Sequence, residues 1–116
     1  MTHKDLDIWK RGIDLVTKVY EITRSFPNTE NYGLSGQMQR AAVSYPSNVA
    51  EGAARESTPE YIRYIYISLG SLSELETQVI ISKNLGYISE IEYILNEIET
   101  LRKMTLKFIK YLKSKL

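Results

Sequence analysis

Residues 57–86, STPEYIRYIYISLGSLSELETQVIISKNLG, decide the fold class. Apolar side chains recur three or four positions apart at Tyr61, Ile65, Leu69, Leu72, Leu75 and Val79. That spacing lines them along one face of an α-helix and along neither face of a strand. The segment also carries its own punctuation. Thr58 is a capping residue, Pro59 suits a first helical position, and Glu60 sits where the positive end of the helix dipole favours an acid. Gly86 provides the stop.

The same period extends outward in both directions. After Gly86, Ser89-Glu90-Ile91-Glu92 reads as a capping box, and Ile91, Ile94, Ile98, Leu101, Thr105, Phe108 and Leu112 continue one face. Glutamates gather near the start of that helix and lysines near its end, matching the macrodipole. Before residue 57, a helix is expected from Leu34 to about residue 55, with Leu34, Met38, Ala41, Tyr45, Val49 and Gly52 in line. A first helix over about residues 5–26 places Trp9, Ile13, Val16, Tyr20 and Thr23 on its core face. It ends at Phe26-Pro27-Asn28, because proline disfavours helical geometry in the residue before it. No segment alternates with period two for long enough to compete as a strand. Short connections make consecutive helices antiparallel, so the expected fold is all-α: an up-down-up-down four-helix bundle forming one domain over residues 1–116.

Composition narrows the function classes. The chain has 116 residues, 43% of them hydrophobic and 25% charged, with a net charge of +1 and no cysteine. A domain of this size buries roughly two-thirds of its unfolded surface and needs neither disulfide nor metal to hold a core. Thiolate chemistry is excluded. The start, MTHKDLDIWKRGIDL, lacks the apolar stretch of a signal peptide, and no run approaches the ~20 residues that cross a bilayer. A cytoplasmic location without membrane contact is the resulting expectation. His3 is the only histidine. Glu-x-x-His metal pairs, a phosphate loop and a nucleophile with a histidine base are all missing from the sequence. Glu74 and Glu76 cannot share a helix face as a paired acid and base. The expectation is a protein that is not an enzyme, with no cofactor, no metal and no small-molecule substrate.

The second helix is the unusual one. Pro46 lies inside its helical pattern, where it removes one hydrogen bond and crowds the carbonyl of Ala42, so a bend is expected there. Ser44, Ser47 and Asn48 can help satisfy the disturbed backbone. Beside the core face runs a polar seam of Gln37, Arg40, Ser44, Asn48, Glu51 and Arg55. Its residues either hydrogen-bond helices or subunits together or form a ligand or RNA site. The small residues Ala41, Ala42, Ala50 and Ala53 invite close approach, with Gly70 and Ser71 as the expected counterparts.

These residues carry a resemblance. The stretch Arg40-Ala41-Ala42-Val43-Ser44-x-Pro46-Ser47-Asn48-Val49-Ala50-Glu51-Gly52, followed by Arg55, resembles the signature of the bacterial four-helix bundle proteins named for 23S ribosomal RNA intervening sequences. Phe26-Pro27-x-x-Glu30-x-Tyr32-Gly33-Leu34 before it and Gly70-Ser71-Leu72-x-Glu74-Leu75-Glu76 after it are similar to the same family in order. Tyr45 departs from the usual aliphatic residue, and Ala53-Ala54 from the usual aromatic-glycine pair. The resemblance implies a four-helix protomer and a homopentameric ring. It also implies an association with RNA, since family members are encoded within ribosomal RNA insertions. A related accessory protein of diversity-generating retroelements acts with nucleic acid and a reverse transcriptase.

Two surface features remain. Ile8, Leu15 and Ile22, seven apart, form a second apolar stripe on the first helix, and Ile67 and Ile81 stand opposite Leu72 on the third. Such residues are either scattered exposed apolar side chains, normal on any surface, or an interface between subunits, and the excess on two helices makes the interface the expectation. On the fourth helix Arg102, Lys103, Lys107, Lys110 and Lys113 fall opposite the core face at about 100° per residue, as a basic stripe suited to phosphate. The stripe also complements the carboxy-terminal end of the helix dipole. Two functional readings follow: an oligomeric module associated with RNA or nucleoprotein, or a protein-interaction scaffold with no nucleic-acid role.

Overall fold

The computed structural model describes residues 2–116, in four helices: α1 (Asp7–Thr23), α2 (Leu34–Ala53), α3 (Thr58–Asn84) and α4 (Glu92–Lys113). Short 3-10 turns at His3–Asp5 and Asn28–Glu30 precede α1 and α2. The ends of α3 follow from local chemistry. Ser57, rather than Thr58, is the cap: its hydroxyl accepts the Glu60 N–H at 3.3 Å, and Thr58 is the first helical residue. At the other end Gly86 adopts φ 79°, a region open to glycine without penalty. Gly86 N–H then reaches Lys83 O at 2.9 Å and Tyr87 N–H reaches Ser82 O at 3.0 Å, closing the last turn.

The capping box expected at Ser89 does not form. Helix α4 starts at Glu92, and its flanking residue Ile91 makes no side-chain cap but is 5% exposed within the core. Burying an isoleucine contributes about 1.5–3 kcal/mol, whereas a cap contributes about 1 kcal/mol, so packing sets the start.

Helices α1 and α3 each pack against both α2 and α4, while α2 and α4 lie on the diagonal of the bundle. Among the described residues there is no strand. The bundle measures 46 × 24 × 19 Å. Its interior is filled by Leu15, Val19, Met38, Tyr45, Val49, Ile65, Leu72, Leu75, Val79, Ile94 and Leu101, all fully buried.

Helix α1 is rotated from the expected orientation. Its buried residues are Ile8, Gly12, Leu15, Val19 and Thr23, whereas Ile13 and Tyr20 are 40% and 46% exposed. The stripe expected at a subunit interface is therefore the core of the protomer: Ile8 and Leu15 are inside, and Ile22 is half-buried against them. Gly12 explains the rotation. A Cβ there would lie 2.7 Å from Tyr45 Cδ2 and 3.4 Å from Pro46 Cβ, so α1 crosses α2 at its one residue without a side chain. Apolar periodicity cannot register that residue.

Helix α2 remains helical through Pro46. Asn48 Nδ2 donates to Ser44 O at 2.9 Å, and Ser68 Oγ donates to Tyr45 O at 2.8 Å, serving carbonyls beside the proline. Ser71 meets α2 as expected, donating to Ser44 Oγ at 2.9 Å. Gly70 does not, since it faces open space with nothing within 4 Å of a Cβ built on it. The close approach of α2 to α3 occurs instead at Gly52, whose Cβ would lie 2.9 Å from Tyr64 Cβ.

Tyr45 joins the diagonal. Its hydroxyl lies 2.7 Å from Thr105 Oγ1, which itself donates to Leu101 O at 2.6 Å. The threonine proton is thereby committed, so Tyr45 is the donor. Burial pushes the Tyr45 hydroxyl up to about 12, against the opposing bond to Thr105.

Tyr45→Phe is expected to lose about 1 kcal/mol, and Thr105→Val about 1–3 kcal/mol because it strands a buried donor. The double variant should lose less than the sum, and urea unfolding of all four forms checks it. Strict additivity would contradict the bond. Gly12→Ala should lower stability by about 1–3 kcal/mol through overpacking, while Gly70→Ala should raise it by up to about 1 kcal/mol. The same unfolding measurement reads both signs.

Candidate nucleic-acid interface

The five basic residues of α4 do not form one uniform stripe. Lys103, Lys107 and Lys110 are exposed on the outer face of α4 and make no ion pair among the described residues. Arg102 is half-buried and engaged with Glu99, three residues before it, through two hydrogen bonds, its Nε donating at 3.0 Å. This pairing raises the arginine above its ordinary range, with a smaller contribution from Glu76 of α3. Arg102, in turn, holds the Glu99 carboxyl below the usual carboxylate range. Lys113 also turns towards α3, where its Nζ donates to Tyr66 Oη at 3.0 Å. Arg102 and Lys113 thus flank the stripe along α3 instead of lying opposite the core. The Tyr66 phenol of α3 holds Lys113 there, while Glu99, on α4 itself, holds Arg102.

The stripe leads to an aromatic end of the bundle, where the start of α3 and the end of α4 meet. Tyr61 packs edge-on to Phe108 with centroids 5.5 Å apart, and Phe108 stacks on Tyr111 at 6.1 Å. Cations lie on neighbouring tyrosine rings: Lys115 is 4.8 Å from the Tyr111 centroid, Lys113 is 5.3 Å from Tyr66, and Arg55 is 4.8 Å from Tyr64. Each is within reach of the attraction between a cation and a ring face. The sequence contained these residues, but helical period does not reveal which aromatics on different helices share an end.

The polar seam of α2 divides in two. Towards the end of the helix, Ser44, Asn48 and Ser71 interlock α2 with α3. Glu51 pairs with Arg55 at 3.5 Å, and Arg55 Nη2 donates to Tyr64 Oη at 2.6 Å. Towards the start, Gln37 and Arg40 are exposed and have no hydrogen-bond or ion-pair partner among the described residues. Arg40 lines a shallow cleft with Tyr20, Tyr32 and Gln39.

Two polar anchors lie outside the site residues expected from the sequence, although Glu30 belongs to the Phe26–Leu34 motif. Arg11 grips Glu97 with two parallel bonds of 3.2 Å, tying α1 to α4. Glu30 accepts the Leu34 N–H at 3.0 Å and the Tyr87 hydroxyl at 2.8 Å, and both bonds hold its carboxyl below the usual range. An acid four residues ahead of a helix start is the available signal for Glu30. Nothing local marks Arg11.

On α3, Ile67 and Ile81 are each 41% exposed on one side of the outer face, and Ile80 is 44% exposed on another. A second apolar patch lies along the groove between α1 and α2, where Trp9, Ile13, Val16, Val43 and Pro46 line a hollow of about 330 Å³. Among the described residues no three His, Asp or Glu side chains converge as a metal site, and no helix is long and apolar enough to cross a membrane.

Comparison with known proteins agrees with this architecture. A solved structure of a protein with unknown function from the S23 ribosomal protein family of Bacteroides thetaiotaomicron superposes with a TM-score of 0.82 at 19% identity. The match covers 89% of this chain and 98% of that one, and at this identity it establishes the shared four-helix fold. No curated protein matches the chain in sequence. The family model described as 23S rRNA-intervening sequence protein matches residues 4–107, nearly the whole bundle. The chain belongs to the family of 23S rRNA-intervening sequence proteins.

Proposed function

We propose that this protein is a non-catalytic, cytoplasmic, oligomeric module that associates with RNA through the outer face of α4. The observation that carries the reading is the set Lys103, Lys107 and Lys110, exposed on one face with no carboxylate at ion-pair distance among the described residues. Lysines meet phosphates as point charges, so this face recognises RNA backbone with little preference among bases. The family's link to 23S ribosomal RNA insertions supports an RNA partner over other polyanions.

Salt titration of the affinity for structured RNA tests the proposal. Removing one lysine–phosphate interaction reduces the slope of log affinity against log salt by roughly 0.7–0.9. Lys107→Glu with Lys110→Glu should therefore flatten the slope by about 1.4–1.8. Arg102→Ala should change it little, because Arg102 is engaged by Glu99. Equal affinity of wild type and double variant, or no binding at low salt, would leave a protein-interaction scaffold as the better account.

The exposed apolar patches support the oligomer. A homopentameric ring, which the family resemblance implies, needs two different faces per protomer that fit each other. Ile67 and Ile81 on α3 and the α1–α2 groove around Ile13 and Val43 are two such faces. Sedimentation equilibrium at micromolar concentration should give one species several times the 13.4 kDa protomer. Ile67→Lys with Ile81→Lys should yield folded monomer, whereas Leu15→Lys should unfold the chain. A monomeric wild type would sink the ring.

A further inference from the structure

The hollow at the aromatic end of the bundle has a volume of about 340 Å³, at the small end of the range for ligand sites. Tyr61, Phe108 and Tyr111 supply its rings and His3 and Thr58 its polar edge, while Lys115 lies over the Tyr111 ring, 4.8 Å from its centroid, and has to swing off that face to let a base stack there. It is not part of the core: Tyr111 is 53% exposed, and Tyr61 and Phe108 are half-buried. A neighbouring hollow shares Leu6 and Phe108 with it and is lined by Asp7 of α1 as well as by Lys107 of the basic face. The phosphate-binding face and the ring-lined hollow therefore meet at Phe108.

We infer that this hollow receives a single unpaired RNA base, stacked on Tyr111 and Phe108, while the phosphates on either side of that nucleotide lie against Lys107, Lys110 and Lys115. The inference rests on the RNA reading above and adds to it the structural class of RNA. Charge complementarity selects the occupant. An apolar peptide would fill the rings but desolvate the lysines beside them, at a cost, because an unpaired buried charge is unfavourable. A nucleotide satisfies both sets of groups, since it offers a π face and an anion a short distance apart. A fully paired duplex is excluded from the hollow, because its base faces are covered by neighbouring pairs. The strand must present a bulged, looped or terminal base, as sequence-tolerant recognition of RNA by aromatic side chains requires. With hydroxyls at the edge, the hollow discriminates a base from no base rather than one base from another.

Two hairpin RNAs with the same stem, each closed by the same non-nucleotide linker so that neither has an unpaired loop base, test the inference, one carrying a single bulged adenine and the other an abasic residue at that position. The full-length protein should bind the bulged form roughly 5- to 100-fold more tightly. Tyr111→Ser should abolish that preference and leave affinity for the abasic hairpin unchanged. Lys107→Glu with Lys110→Glu should weaken binding to both hairpins while keeping the preference. A second measurement does not depend on the basic face. Adenosine monophosphate should shift the ring resonances of Tyr61, Phe108 and Tyr111, and ribose 5-phosphate should not. Equal affinity of the wild type for both hairpins would overturn the inference while leaving the basic face intact. If neither hairpin binds, the basic-face reading fails, and the nucleotide titration alone decides the hollow. Unshifted ring resonances, or a Tyr111→Ser variant that dissociates the oligomer, would overturn the base site. The latter result would assign the hollow to a second copy of the chain.

Discussion

The crossing of α1 over α2 at Gly12 constrains most of what surrounds it. The Tyr45 ring occupies the space that a side chain on Gly12 would take, and Pro46 backs it. The Tyr45 hydroxyl then needs an acceptor on the far side of the core, which Thr105 of α4 provides. Its carbonyl is reached by Ser68 of α3. One residue of α2 thus touches all three other helices. Phenylalanine in its place would fill much the same volume but would not require the α4 register that sets Thr105 opposite it.

That crossing has consequences on the outside. Turning Gly12 inward carries Leu15 and Val19 with it, because they lie three and seven positions on and share its face. Ile13 and Tyr20 are turned outward by the same rotation, beside Val43. An exposed apolar groove between α1 and α2 is therefore a product of tight packing in the interior. Such patches are unusual on proteins that act alone, and they suit the assembled state proposed for this chain.

The cations divide by type. All the ion pairs among the described residues use arginine: Arg11 with Glu97, Arg55 with Glu51, and Arg102 with Glu99. A planar fork with several fixed donors suits holding a carboxylate in one geometry. The lysines on the outer face of α4 have no such partner and keep their charge directed to solvent. The near-neutral total charge conceals this division, since arginines account for much of the neutralised positive charge and lysines for the field at the surface. The polar seam of α2 divides in a similar way, with Ser44, Asn48 and Arg55 taken up by neighbouring groups and Arg40 left open.

By itself the sequence determined the helical class, the number of helices, the stop at Gly86 and the family, because these depend on local period, local caps and ordered motifs. Leu72, Leu75 and Val79 could be placed in the core for the same reason. The rotation of α1, the start of α4 at Ile91 instead of Ser89, and the emptiness around Gly70 were decided only by tertiary structure. Each depends on what lies across an interface: a tyrosine ring opposite Gly12, a core that takes up Ile91, and no helix opposite Gly70. The basic face was half legible. Angular position identified Lys103, Lys107 and Lys110, but Arg102 and Lys113 were reassigned by Glu99 and Tyr66, and the alignment of Tyr61 with Phe108 and Tyr111 arises from two helix ends 47 residues apart in the chain, Tyr61 to Phe108. Period describes one helix at a time, while partners, clashes and shared hollows belong to pairs of helices.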